Sequence, residues 1–427
     1  MNSNRLSKTS WALYDWANSA FATTIMAGFF PIFFKSYWAD PANPAQSTFY
    51  LGIANSTASI VIAALAPFLG AIADRGGAKK KFMATFTFLG IIMTGGLRLL
   101  EQGRWEWAVI FYVTAAIGWS GANIFYDSLL PAVATRKEVD FVSSLGYALG
   151  YIGGGLLFLI NVMMYLNYAA FGLPDAATAI KISFLSVALW WAVFTIPIFI
   201  FVKEPRFAEK VSLGQAIVQG WKQLKGTLTD LKNYRIVALF LLAYWLYIDG
   251  VDTIVRMAVD YGKSLQFSDG TLITALLMVQ FIAFPAALGY SWIAGKIGPK
   301  RAVMSGIIGY ICITFLGYLM RQEWHFYFLA GLVGLFQGGI QALSRSLYTR
   351  IIPLDKSAEF FGFYNMLGKF AAVIGPFLMG SITLLTGSAR LGILSILILF
   401  VSGALVLWKV DIQKGEQIAS QYYSRKL

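Results

Sequence analysis

Gly70-Ala-Ile-Ala-Asp74-Arg75-Gly-Gly77-Ala-Lys79-Lys-Lys81 is the stretch whose reading decides the fold. It sets three glycines, one acid and four bases between two apolar runs, each long enough to cross a bilayer. A segment this short and this charged cannot build a core, so it reads as a tight turn at a membrane face. A weaker copy follows at Ser291-Trp-Ile-Ala-Gly295-Lys296-Ile-Gly298-Pro-Lys300-Arg301. An offset of 221 residues lays Gly298 on Gly77 and Lys296 on Arg75. A basic glycine turn that recurs between apolar runs in each half predicts a duplicated helical bundle.

Composition points the same way. The 427 residues are 58% hydrophobic and 13% charged, with a mean hydropathy of +0.64, whereas soluble domains carry about 25% charged residues. The apolar residues fall in blocks of about 20, the length that spans hydrocarbon. We therefore expect an all-α integral membrane protein with twelve transmembrane helices in two pseudo-symmetric six-helix halves. The runs lie near 9–37, 48–73, 82–100, 105–134, 141–171 and 178–202, then 236–262, 270–295, 302–320, 324–351, 358–386 and 391–410. Residues 1–202 and 236–427 make the two bundles. The first ten residues are polar and basic, and the run after them is too long for a cleavable leader, so none is expected.

The net charge of +13 does not imply nucleic acid, because the bases alternate between loops. Of the 34 Lys and Arg, 24 fall in the terminal tails and the even-to-odd loops, 7 in the opposite loops and 3 within helices. This bias is the positive-inside signal, and it predicts both termini in the cytoplasm. Residues 203–235 carry seven bases, with Ile217, Trp221, Leu224, Leu228 and Leu231 at helical spacing. That pattern predicts an amphipathic linker helix lying on the membrane surface, with lipid as its partner. One cysteine and one histidine leave no disulfide, metal or cofactor site to propose.

The repeat continues beyond the basic turns. At an offset of 222, Tyr126 meets Tyr348, Pro131 meets Pro353, Leu145-Gly146 meets Leu367-Gly368, and Gly153 meets Gly375. Parallel repeats of this kind mark transporters whose substrate site lies between the halves near the midplane.

A charge within a span costs about 2.5–3.5 kcal/mol on insertion scales and so faces a partner or a cavity. Asp15 shares a stripe of the first run with Asn18; it is either a first-turn acid favoured by the helix dipole or a gate and proton site. Asn123 and Asp127 share a face of the fourth run, as do Gln341 and Arg345 on the tenth. Two readings stand there: an Asp127–Arg345 ion pair closing one side, or Arg345 holding a substrate carboxylate bidentately. Asp249, Asp252 and Arg256 lie on one face of the seventh run, and Asp249 falls near its middle. Asp249 is the first choice for a functional acid, against a packing acid bonded to a neighbouring helix. Asn365 and Lys369 add a polar face to the eleventh run, where Lys369 is either a cavity cation or an ion-pair partner of Asp249 or Asp252.

The pattern Gly-x-x-x-Asp-Arg-x-Gly-x-Lys resembles the loop between helices 2 and 3 of the major facilitator superfamily. A narrower likeness runs through Trp11-Ala-Leu-Tyr14-Asp15-Trp16-Ala-Asn18, Tyr126-Asp127-Ser-Leu-Leu-Pro131, Ser143-Ser-Leu-Gly146 and Asp249-Gly-Val-Asp252-Thr253. It ends with Gln337-Gly-Gly-Ile-Gln341-Ala-Leu-Ser-Arg345 and Phe361-Gly-Phe-Tyr-Asn365-Met-Leu-Gly-Lys369. Together these resemble the vacuole-effluxer family, whose fungal members are autophagy-related amino-acid exporters.

The resemblance implies a secondary transporter, not an enzyme, with an amino acid or similar zwitterion as the small-molecule substrate. Residues expected to bind it are Asn18, Asn123, Asp249, Gln341, Arg345, Asn365 and Lys369. Proton coupling is expected at Asp15, Asp127, Asp249 and Asp252. A gate is expected at Asp74, Arg75, Gly77, Lys296 and Gly298, with Asp74 capping the helix that starts near 357–359. The expected setting is the cell membrane, or a vacuolar-type membrane in a eukaryote, and the expected state is a monomer. An uncoupled facilitator, a carrier of sugars, nucleosides or drug-like solutes, and a lipid-handling receptor on the same fold are the alternatives.

Overall fold

The computed structural model describes residues 3–40, 44–204, 213–229 and 234–424. Among these residues, twelve helices are long and apolar enough to span a membrane. The first six are α1 Asn4–Trp38, α2 Tyr50–Gly76, α3 Lys79–Leu99, α4 Trp105–Val133, α5 Val139–Leu166 and α6 Ala176–Phe201. A separate helix, α7 Leu213–Thr229, follows. The second six are α8 Arg235–Ala258, α9 Gly270–Ile297, α10 Pro299–Leu319, α11 Glu323–Ile351, α12 Leu354–Thr386 and α13 Ala389–Lys409. A last helix, α14 Ile412–Ser424, closes the described chain. An even number of spans returns both ends to one side, which we call the termini face.

The basic turns have a structural task. Gly77 and Gly298 adopt positive φ, at 55° and 88°, so each chain reverses where a side chain would be strained. Lys80 then donates to the carbonyls of Phe199 and Val202, both at 2.7 Å, at the end of α6. Lys300 does the same for α13, reaching Trp408 O at 2.8 Å and Val410 O at 2.7 Å. A cation on the orphan carbonyls of a helix end is favourable on both hydrogen-bond and dipole grounds. The repeated lysine therefore ties the third helix of each half to its sixth.

Each half has its own apolar core, and a further cluster lies on the N-terminal half near the termini face. Two seams join the halves, α2 against α12 and α5 against α9. The α2–α12 seam needs bare backbone: a methyl on Gly70 would strike the Ala358 carbonyl, and one on Gly362 would stand 2.5 Å from Ala66 O. Small residues allow such close approach. In α1, π-helical turns at Phe21–Phe29 and Phe34–Trp38 flank Pro31, and they begin just beyond Asn18. Extra-wide turns of this sort often sit at functional sites.

The linker helix forms within the expected segment, but it packs on a different face. Ala216, Gly220, Gln223 and Thr227 are buried, whereas Ile217 and Trp221 are 42% and 60% exposed. Gly220 meets Ile72 of α2, and Gln223 donates to the buried Glu359 of α12. The small and polar face turns inward because a buried carboxylate needs donors. Ile217 and Trp221 are left facing outward, as an interfacial helix requires. Of that stripe, the side chain of Leu228 and the whole of Leu231 lie outside what is described.

Candidate functional site

Three charged clusters tie the halves together at the termini face, and a fourth set of charges lies within the spans. The first is built around Arg345 in the last turns of α11, 2% exposed. Its Nη1 lies 3.0 Å from Asp127 Oδ1, and Nη1 and Nη2 lie 3.4 and 3.3 Å from Asp15 Oδ2. Its Nε donates to Ser143 Oγ at 3.0 Å and Nη2 to the Ser143 carbonyl at 2.9 Å. Trp11 and Tyr147 rings stand 4.9 and 4.3 Å from the guanidinium carbon. Tyr126 donates to Asp15 Oδ2 at 2.8 Å, and Asn365 to Asp127 Oδ2 at 3.2 Å. One guanidinium from the second half thus binds α1, α4 and α5 of the first. Its planar fork suits this task as an ammonium would not. Gly146 makes the room: a methyl there would stand 2.6 Å from Asp15 Oδ2.

The second cluster centres on Asp74 at the end of α2. Its two oxygens accept from Ala358 N at 3.1 Å and Glu359 N at 2.8 Å, the free amides at the head of α12. Lys79 lies 2.8 Å from Asp74 Oδ1 and donates to Ser357 Oγ at 2.6 Å. The third joins Asp140 of α5 to Arg350 of α11 at 2.8 Å and to Ser346 at 2.6 Å. Arg350 and Arg136 then reach Glu416, so α14 lies across both halves.

The fourth set lies on α8 and α12. Lys369 Nζ sits 4.6 Å from the centre of the Trp119 ring on α4. Asp252 and Lys369 are half-buried, and Arg256, two residues from the end of α8, is exposed. On α4, Tyr112 donates to Asn55 of α2 at 2.8 Å. Among the described residues, none of Asp252, Arg256 and Lys369 makes an ion pair or hydrogen bond. Nearby, Asn18 donates to Asn123 at 2.6 Å, Trp119 donates to the Asn18 carbonyl at 3.1 Å, and Tyr151 donates to Gln341 at 2.8 Å.

The structure divides the residues that the sequence put in one site. Asn18 and Asn123 meet beside Trp119, over which Lys369 lies, and Gln341 is bonded to Tyr151. Arg345 and Asn365, expected at the substrate, are instead engaged in the ion cluster with Asp15 and Asp127. Asp249 departs furthest from its first reading. It is 1% exposed, and its carboxylate accepts from Gly375 N at 2.9 Å, Ile374 N at 3.2 Å and Thr253 Oγ1 at 3.3 Å. Pro376 lies inside the continuous α12, and the two amides just before it are the ones that donate to this carboxylate. Asp249 is thus bonded to the α12 backbone, whereas Asp252, one turn on, has no such bond among the described residues.

The gate residues divide as well. Gly77 shapes the turn beside Asp74, and Arg75 has no ion-pair partner among the described residues. Lys296 lies over its own helix's Trp292, 3.5 Å from the ring centre, and Gly298 has nothing within 4 Å of where a side chain would start. At the 221-residue offset, Gly295 stands where Asp74 stands, so the second turn has no carboxylate to reach across.

One contribution escaped the sequence reading. The Asp140–Arg350 pair lies at helix ends, where charge is ordinary, and nothing in the hydropathy marks it.

A family model described as "Vacuole effluxer Atg22 like" matches residues 3–141 and 134–420. The chain belongs to the Atg22-like vacuole effluxer family. It is 38% identical to the MFS-type transporter YxiO of Bacillus subtilis (strain 168) over 416 residues, 97% of each chain. Autophagy-related protein 22 of Candida glabrata is 22% identical over 403 residues, 80% of this chain and 73% of that one. Solved structures agree on the fold. A human organic anion transporter, MFSD10, superposes with TM-score 0.73 at 13% identity, covering 95% of this chain and 100% of that one. A proton:xylose symporter gives 0.70 at 14% identity, covering 95% and 94%. This Atg22-like chain is thus a multi-pass transporter of the major facilitator type with a small-molecule substrate.

Proposed function

We propose that this Atg22-like protein moves a small solute bearing both signs of charge, most simply an amino acid, by alternating access between its halves. The observation that carries the reading is the set Asp252, Arg256 and Lys369. Asp252 and Lys369 are half-buried and Arg256 is exposed, all three within a span, where a charge faces a partner or a cavity. Among the described residues these three charges have no ion-pair or hydrogen-bond partner, and Lys369 lies over Trp119 of the opposite half, so a carboxylate and an ammonium on the solute give them one. Asn18, Asn123 and Gln341 supply neutral hydrogen bonds around them.

The clusters at Arg345, Asp74 and Asp140 act as gates that hold the termini face shut. The Lys and Arg distribution supports a cytoplasmic termini face, and the family's name supports efflux as the direction. Proton coupling belongs to the Arg345 cluster. Two carboxylates there share one guanidinium, and one proton balances the count.

The test is counterflow and pH-driven flux of amino acids in proteoliposomes. Uptake against a gradient when a proton gradient is imposed supports the reading. Counterflow indifferent to pH would leave an uncoupled facilitator, and absence of counterflow for every amino acid would overturn the assignment.

A further inference from the structure

We infer that α7 docks on an anionic bilayer surface and, so docked, straps the α2–α12 seam shut. The inference goes beyond the transport reading and depends on no solute.

α7 touches both halves along one stripe. On the first half, Gly220 lies so close to α2 that a methyl there would stand 2.9 Å from Ile72 N. On the second half, Gln223 donates to the buried Glu359 of α12, and Lys356 Nζ donates to Thr227 Oγ1 at 3.1 Å. Ala216, Gly220, Gln223 and Thr227 are all buried and recur every three or four residues, as one face of a helix does. This face lies across the seam that Asp74 fastens at the head of α12. The two halves cannot part there while α7 keeps both sets of contacts.

The rest of the helix is turned away from the protein. Val218 is exposed beside the outward Ile217 and Trp221, and so are Lys222 and Lys225. Two observations indicate what covers this side. The first is position. The Trp221 ring stands edge-on to Phe68, with 5.8 Å between centres, and Phe68 lies well inside the spanning α2. Leu65, one turn further into that span, is exposed, so the apolar side of α7 continues into a surface that lipid covers. The second is charge. α7 carries two lysines and no acid. Both lysines fall on the face of Val218, four and seven residues on, where their stems can lie along apolar surface while the ammonium groups reach lipid phosphates.

The polar stripe and the exposed side belong to different sides of one helix, so seam and bilayer are satisfied together in this arrangement. A surface that binds α7 here favours the closed seam, and closure favours the binding by the same factor.

The full chain, carrying Cys312→Ser and a nitroxide on Val218→Cys, is reconstituted in vesicles of phosphatidylcholine alone or with about one-third phosphatidylglycerol. We expect phosphatidylglycerol to raise collisions of the label with oxygen relative to those with a water-soluble nickel chelate. Lys222→Gln combined with Lys225→Gln should abolish that response, and Lys222→Arg combined with Lys225→Arg should keep it. Nitroxides at the termini-face ends of α2 and α12 should sit closer together with phosphatidylglycerol, and the Gln pair should lose that difference. A collision ratio equal in the two lipids overturns the inference; if the chelate dominates in both, α7 faces water and a soluble partner. A lipid response that survives in the Gln pair, or a seam distance indifferent to phosphatidylglycerol, overturns it as well. Neither measurement uses a solute, so each of these failures leaves the transport reading standing.

Discussion

Arg345 Nη1 lies 3.0 Å from Asp127 Oδ1, an ion pair that crosses from one half of the bundle to the other with the arginine 2% exposed. Removing one partner of a buried pair leaves the other uncompensated, at a cost of about 3–5 kcal/mol. In Arg345→Ala two carboxylates are left facing each other, so the termini face should open. With Cys312 replaced by Ser, a cysteine at Gln341 should then react with an impermeant thiol reagent applied from the termini face. Gly146→Ala should have the same effect without altering any charge, because the new methyl meets Asp15 Oδ2. Unchanged reactivity in both variants would deny the cluster a gating role.

The Asp74 clasp predicts a second opening. Asp74→Asn removes the charge opposite Lys79 and weakens the cap on α12. Gly70→Ala attacks the same seam by bulk, since its methyl strikes the Ala358 carbonyl. Spin labels at the termini-face ends of α2 and α12 should report a longer distance in both variants. A distribution identical to wild type would show that the seam is only packing.

The lysine caps should matter to stability and not to selectivity. Lys80→Met and Lys300→Met each remove a cation from two helix-end carbonyls. A favourable, partly buried charge at a helix end is worth up to about 2 kcal/mol. Each variant should melt a few degrees lower in detergent and keep the wild-type ranking of substrates.

Outside the spans, Glu138 forms an ion pair with Lys8 and accepts from Thr135. The Lys8 hydrogen bond, first, and the Thr135 bond hold its carboxyl below the ordinary glutamate value of 4.5. A depressed carboxylate stabilises the fold above its unfolded value and loses that contribution as pH falls through its folded one. Glu138→Gln should therefore differ slightly from wild type in melting temperature at pH 6, with the difference shrinking as pH falls below the ordinary glutamate value of 4.5. The pair is exposed, so the effect is small. A difference that grows on acidification would contradict the sign.

The spans, the duplication and the head of α12 beside Asp74 could be read from residues 70–81 and their echo, because bilayer length and glycine turns act locally. The site was less legible. A charge such as Lys369 or Arg256 announces itself against an apolar background, but its partner is fixed by helix rotation across the bundle. Asp249 shows the limit: mid-span acids read alike, and only the amides of Ile374 and Gly375 distinguish a packing acid from a working one. The linker shows the converse limit, since hydropathy marked Ile217 and Trp221 but could not foresee that a buried Glu359 would draw in Gln223.

The repeat is broken where it matters most. Gly295 occupies the place of Asp74, so the α2–α12 seam is fastened by charge while the turn after α9 offers nothing to fasten. The two seams are therefore unlike: one carries a carboxylate tie to the head of the facing helix, and the matching turn of the other does not. A single side chain, present in one copy, thus makes the duplicated bundle asymmetric at its own turns.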